Sequence, residues 1–383
     1  MSFIERDLIG AQVLIPGAGL QPVPLSLAEG QVVDGPVGRP VDLSGCLVLP
    51  GMIDLHGDGF ERHVAPRRGA MKQMNEGILA AEAELAVNGL TTAVMAQFFS
   101  WEGGLRGPEF ASDVFDAIRA AQGKVVTDLR AQLRFEIHLL EHYDALPGLI
   151  AGWGVDYVVF NDHLPHDSLA KGKRPPRLTG QALKAGRNPE RHLEFLQELH
   201  ARKDRVPAAL DDLCRVLGEQ GLRLGSHDDQ TAEDRQTWHH RGARISEFPE
   251  TLEAAEAAHA AGDLVVMGAP NLVRGGSHKG NASAIDLIIM GLCDALASDY
   301  HYPSLRRAAL MLVRTGVLEF EAAWNLVSAG PAKAFGWDDR GQLLPGKRAD
   351  LVVLDAETHQ VGATISGGRV SYMNGEIAAR FLA

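Results

Sequence analysis

The stretch LVLPGMIDLHGDGFERH, residues 47–63, places a histidine and a carboxylate two residues apart directly after an apolar run. Side chains alternate along a strand, so His56 and Asp58 would project to one side if Val48, Leu49, Ile53 and Leu55 form a buried strand. Imidazole beside carboxylate is a donor set suited to Zn²⁺, Mn²⁺ or Fe²⁺. Pro50 and Gly51 punctuate the strand start, and Gly57 and Gly59 leave room around both donors. The same reading picks out Glu136 in LRFEIH, His163 in FNDHLP, His227 in GSHDD and Asp299 in ASDYHYP, each after an apolar run. Singly, each is better read as a cap or a buried hydrogen bond; together, at successive strand ends, they are better read as ligands converging on metal. Two ions held close by a bridging carboxylate would make hydroxide near neutral pH, and Asp299 is the natural acceptor of the water's proton.

The elements that must position these residues alternate between helix and strand across the centre of the chain. Strand patterns occur at residues 47–55, in LTTAVMAQFF, VTDLRAQLRFEIHL, VDYVVFND, LRLGSHDD, ISEFP, LVVMGAP and CDALASD, which makes eight. Between the first two runs MKQMNEGILAAEAELAVNG reads as a helix stopped by Gly89. Eight strands with intervening helices predict a (β/α)8 barrel, whose catalytic groups sit at the carboxyl ends of the strands. Residues 1–50 and 340–383 are instead rich in short strands and Gly-bearing turns, including an Asn374-Gly375 hairpin signal. They predict one small β-sandwich domain built from both termini, around a catalytic barrel at 51–339. Residues at about 164–215, rich in Lys, Arg and Pro and then helical in ERHLEFLQELHARK, read as an insertion near the active-site face.

With 383 residues, 45% hydrophobic and 22% charged, the chain has the composition of an ordinary folded protein with a large core. Its three scattered cysteines, Cys46, Cys214 and Cys293, form no disulfide framework, which predicts a reducing cytoplasm. MSFIERDLIGAQ at the start shows neither a basic region with a long apolar core nor a lipidation signal, and no apolar run reaches the roughly 20 residues of a membrane span, which predicts a soluble, unprocessed chain. A net charge of −12 argues against nucleic acid or an anionic membrane as partner. Positive charge is nevertheless clustered in AKGKRPPR at 170–177 and VRGGSHKGN at 273–281, and both segments suit phosphate. In the second, Arg274, Ser277, His278, Lys279 and Asn281 offer side-chain donors and glycine-flanked backbone N–H groups. His63, Arg67 and Arg68 could also reach substrate phosphates, Asp54 shares a face with His56, Asp228 follows His227, and His301 lies near Asp299.

PGMIDLHGD, the strand-end histidines, the late SD carboxylate and a β domain closed by LLPGKRADLVVLD together resemble the amidohydrolase superfamily. Within it, LHGDGFERHVAPRRG, LRFEIH, SHDD, GAPNLVRGGSHKGN and SDYHYPSL resemble the PhnM type, diphosphatases of carbon-phosphorus lyase pathways that act on α-D-ribose 1-methylphosphonate 5-triphosphate. The resemblance covers nearly the whole chain, and His-x-Asp in place of the superfamily's usual His-x-His is a substitution that this subgroup shares. It implies two divalent ions, zinc first with manganese or iron as alternatives, held by His56, Asp58, Glu136, His163, His227 and Asp299, with Glu136 bridging. LPHDSLAKGK departs from the Pro-Gly-bearing segment that the family shows after its DH pair, so His166 competes with His163 for that ligand position. The implied reaction is hydrolysis of the α–β phosphoanhydride with release of pyrophosphate from a phosphorylated sugar, with self-association an option. Two other readings stand beside it. One is a C–N amidohydrolase of the cyclic amidase or amino-sugar deacetylase type, because the same hydroxide attacks a carbonyl carbon. The other is a noncatalytic, metal-stabilised component of a phosphonate-processing complex.

Overall fold

The computed structural model describes residues 2–65, 73–275 and 282–383. Of the residues singled out above, Arg67, Arg68, Ser277, His278, Lys279 and Asn281 lie outside the described residues. Eight central runs form strands in chain order: β1 (Met52–Gly57), β2 (Leu90–Phe99), β3 (Asp128–Glu136), β4 (Tyr157–Asn161), β5 (Arg223–His227), β6 (Ile245–Glu247), β7 (Leu264–Gly268) and β8 (Ala295–Ala297). They make one sheet in the sequential order β8-β7-β6-β5-β4-β3-β2-β1. Pairing is parallel in β1–β2, β3–β4, β4–β5, β5–β6 and β7–β8. A parallel bridge between Gly57 and Asp299 joins the two ends of the series, giving the predicted (β/α)8 barrel. All ten residues of β2 are buried, as expected of a strand covered on both faces.

The barrel helices begin and end where short-range chemistry directs. Asn188 Oδ1 accepts from the backbone N–H groups of Glu190 and Arg191 at the start of helix Pro189–Ala201. Thr231 and Asp234 form a reciprocal capping box on helix Ala232–His240. The helix read before β2 spans Met74–Val87, and Gly89, at φ +89°, turns the chain into the strand as its sequence predicts.

The chain termini form two further sheets. One runs in the order Gln31–Val33, Leu25–Ala28, Arg6–Ile9, Pro40–Asp42; the other runs Arg369–Met373, Val361–Ser366, Leu351–Asp355, Cys46–Pro50, Gln12–Ile15, Gly19–Gln21. Leu8, Leu27, Val48, Leu351, Val353 and Ile365 share their core. Two expectations change. The run at 47–55 is two strands, because Cys46–Pro50 pairs antiparallel with Leu351–Asp355 in a terminal sheet while β1 enters the barrel, with Gly51 between them. Asn374-Gly375 is no hairpin: Asn374 stands at the start of helix Gly375–Leu382, whose Ile377 and Phe381, four residues apart, pack into the terminal core.

Contacts group the chain into two compact units, Met1–Met95 with Ala121–Arg130 and Leu264–Ala383, and Ala96–Ala120 with Ala131–Asp263. Among the described residues no helix is long and apolar enough to cross a membrane. In the first unit the strand break is sterically tight, because a Cβ on Gly51 would overlap the Thr91 side chain. Gly51→Ala should therefore cost about 1–3 kcal/mol in urea unfolding, and adding Thr91→Ser should recover part of it; an unchanged midpoint would show that the chain turns here without needing glycine.

Candidate metal centre

Each unit gathers its own set of donor groups at strand ends. In the first, His56 lies in β1 with its side chain fully buried, and Asp58 follows the strand. The Asp299 N–H donates to the His56 carbonyl at 2.9 Å, and the Asp58 N–H donates to the Asp299 carbonyl at 2.9 Å. These bonds put one ligand atom from each of His56, Asp58 and Asp299 within 4.8 Å of the others. Asp299 sits at φ +53°, a left-handed conformation that aspartate tolerates better than most residues. Gly57 between the two donors has no room for a Cβ, which would meet Asp54 Oδ2 at 2.6 Å.

Asp54 is the floor of this group. Its carboxylate accepts from the Ser298 N–H at 2.9 Å, from the Ser298 hydroxyl at 2.5 Å and from the His56 N–H at 3.3 Å. Complete burial raises its pKa, against those hydrogen bonds, which favour the carboxylate. It thus ties β1 to β8 without belonging to the donor group. Nearby, the Arg274 guanidinium lies over the Tyr300 ring at 5.0 Å, one residue beyond Asp299. His301 Nδ1 is 2.7 Å from the Ser304 hydroxyl, and His63 Nε2 is 2.6 Å from Glu84 Oε2, so each has a protein partner.

In the second unit, ligand atoms of His163, His227 and Asp228 lie within 4.8 Å of one another. Carboxylates orient both imidazoles. The Glu136 Oε1 atom lies 2.5 Å from His163 Nδ1, which must donate because a carboxylate only accepts, and this leaves the His163 Nε2 lone pair outward. Glu136 Oε2 accepts from the Trp101 indole at 3.1 Å and from the His163 N–H at 3.2 Å. Burial alone would lower the His163 pKa, but the Glu136 charge and hydrogen bond outweigh it and raise it. Glu136 stands outside the donor groups found among the described residues, and its carboxylate orients the His163 imidazole. His166 belongs to a different group, so it is His163 that shares donors with His227.

His227 Nδ1 lies 3.4 Å from Glu247 Oε2, while its Nε2 accepts from Arg134 at 2.9 Å. Glu247 is fully buried at the end of β6, and its Oε1 accepts from Gln132 at 2.6 Å and from the Tyr157 hydroxyl at 2.7 Å. Glu247 was not singled out from the sequence, although its place after the apolar start of ISEFP carries the same signal as the other strand ends. Arg134, held 3.8 Å above the Phe98 ring, and Ser298 gave no such signal. Asp228 and Phe248, directly after β5 and β6, have φ of +59° and +55°, so backbone strain collects at these ends.

The donors fit divalent metal. Both groups combine imidazole nitrogen with carboxylate oxygen; the outward nitrogen of His163 carries a lone pair that a cation would take, and a cation at His227 Nε2 would replace the hydrogen bond from Arg134.

A profile of the amidohydrolase family matches residues 287–378. Solved structures agree on the fold: an N-acetylglucosamine-6-phosphate deacetylase from Pasteurella multocida aligns with a TM-score of 0.64 at 12% identity, covering 97% of this chain and 100% of that one. A β-aspartyl dipeptidase from Fervidobacterium islandicum aligns at 0.61 and 12% identity, covering 98% and 99%. The chain is a hydrolase of the amidohydrolase superfamily. Within it, the chain is 32% identical to the α-D-ribose 1-methylphosphonate 5-triphosphate diphosphatase of Escherichia coli over 332 residues, 84% of this chain and 86% of that protein, and belongs to that PhnM-like family. An adenine deaminase from Gluconobacter oxydans is 47% identical over 76 residues, only 20% of this chain.

Glu247→Gln should keep the volume of the β6 terminus but weaken its hold on His227. Divalent metal affinity should fall about 10–100-fold by equilibrium dialysis; wild-type affinity in a folded variant would remove Glu247 from the site.

Proposed function

We propose that the chain hydrolyses the α–β phosphoanhydride of α-D-ribose 1-methylphosphonate 5-triphosphate to the 5-phosphate and pyrophosphate, in phosphonate catabolism. The observation that carries this is the relation to a diphosphatase of that substrate over 84% of this chain and 86% of that protein. The imidazole and carboxylate groups at the strand ends support it chemically.

In this reading His56, Asp58 and Asp299, and His163 with His227, hold two divalent cations, zinc by preference. Bound there, the cations would make water more acidic and offset negative charge on the phosphate oxygens. Asp299 takes a proton from the attacking water, whose oxygen forms the new bond to the α-phosphorus. The bond from that phosphorus to the α–β bridging oxygen breaks, and the electron pair leaves with pyrophosphate. Asp54 holds the Asp299 segment in place by accepting from the backbone N–H and the hydroxyl of the neighbouring Ser298. Glu136 and Glu247 keep the two histidines in the tautomer that presents a lone pair. Arg274, together with the segment 276–281, binds the polyphosphate and stabilises the leaving group. The enzyme works in the cytoplasm on a free small molecule.

Metal-loaded protein incubated with the ribose triphosphate should release pyrophosphate and the 5-phosphate, followed by phosphorus NMR. Asp299→Asn should lower kcat by about 10²–10⁴-fold in a folded protein. Absence of pyrophosphate with intact metal would overturn the assignment, and turnover of amide substrates alone would favour C–N hydrolysis instead.

A further inference from the structure

Beyond the donors discussed so far, the second unit contains four polar side chains for which the reaction above has no use: His138, Asp162, His166 and His200. Their placement follows from the strand ends. The Ile137 N–H donates to the Asn161 carbonyl at 3.0 Å, which carries the β3–β4 register one step past Glu136 and brings His138 beside the loop that leaves β4. In that loop consecutive side chains part company. His163 reaches Glu136, whereas Asp162 reaches His138 and His166, the latter opening the short helix His166–Ala170.

Three ligand atoms converge. His138 Nε2 is 3.2 Å from Asp162 Oδ1, His166 Nε2 is 3.2 Å from the same oxygen, and the two Nε2 atoms are 3.1 Å apart. Around a tetrahedral ion with bonds of about 2.0–2.1 Å, neighbouring ligand atoms stand about 3.3–3.4 Å apart, so the cluster needs to expand by only a few tenths of an ångström. A network of protons satisfies it less well. If both Nε2 atoms donate to Asp162, two donors face each other at 3.1 Å with no acceptor in that contact. A cation satisfies all three contacts together.

The surroundings favour one tautomer. His166 Nδ1 lies 2.9 Å from His200 Nδ1, on helix Pro189–Ala201. A proton on His166 Nδ1, donated to His200, leaves the His166 Nε2 lone pair facing Asp162 and His138. An outer hydrogen bond of this kind commonly orients a metal-ligating histidine. Burial differs across the cluster: His138 is 3% exposed, while the side chains of His166 and Asp162 are 33% and 37% exposed. One ligand is thus fixed in the wall and the others open to solvent, where an ion can enter and water can complete its coordination.

We propose that His138, Asp162 and His166 bind a further divalent cation of the zinc class, with three protein ligands and a fourth position open to water, and with His200 as the outer partner that orients His166. Two imidazoles and one carboxylate suit such a borderline ion better than Mg²⁺ or Ca²⁺, which prefer oxygen. No ligand is shared with the two groups assigned to catalysis.

The test is metal stoichiometry of the full-length protein, stripped with chelator and dialysed against zinc at fixed free concentration. Asp162→Asn and His166→Ala should each retain one equivalent fewer than the wild type, with melting temperatures in chelator close to the parent's. His200→Ala should weaken that equivalent about 10–100-fold, and Asp299→Asn should leave it in place even where it disturbs the other ions. Equal stoichiometry in the wild type and in both folded ligand variants would overturn the proposal, as would loss of the equivalent in Asp299→Asn but not in Asp162→Asn. Neither result bears on pyrophosphate release, which is measured separately.

Discussion

Two backbone hydrogen bonds, Asp299 N–H to the His56 carbonyl and Asp58 N–H to the Asp299 carbonyl, carry more of this structure than their modest individual strength suggests. They join the first and last strands of the sheet, and so remove its exposed edges. They also bring a histidine and two aspartates, separated by more than two hundred residues of chain, to within ligand distance. Closure of the sheet and assembly of the donors are therefore one event. The tight packing around Gly57, whose missing side chain leaves space for Asp54, follows from the same constraint.

A second pattern is the pairing of each outward histidine with a buried carboxylate. Glu136 holds His163, and Glu247 holds His227. A buried carboxylate is costly unless its oxygens are satisfied, and here Trp101, Gln132 and Tyr157 supply donors from neighbouring strands and loops. Polar groups in the interior thus serve orientation. Their cost is offset by hydrogen bonds that the barrel strands hold in register. The strained φ angles of Asp228, Phe248 and Asp299 sit where those strands release the chain, which is where a rigid scaffold can tolerate them.

The loop after β4 places members of two separate side-chain clusters at adjacent positions. Because neighbouring residues face opposite ways, Asp162 and His163 belong to different clusters, although they are linked by one peptide bond. A family-wide motif at this point would hide the distinction, since the pair reads as a single DH unit.

Much of the fold was legible in the sequence, because hydrophobic runs of strand length, spaced by amphipathic helices with recognisable caps, report local preferences directly. All eight barrel strands were visible in this way, as was the stop at Gly89. The split of the run at 47–55 was not, since Val48 and Ile53 are equally apolar and only their partners, Leu351–Asp355 for one and β2 for the other, decide which sheet each joins. Asn374-Gly375 failed for a related reason: turn chemistry is local, but burial of Ile377 and Phe381 in the terminal core selects a helix. For the site, the sequence by itself determined which residues could ligate metal, because donor chemistry and a place after an apolar strand are properties of a short segment. Only the tertiary structure decided which of them meet, that Glu136 and Glu247 orient histidines, and that His166 joins His138 and Asp162 and not His163, because those distances depend on strand register and on bonds between segments far apart in the chain.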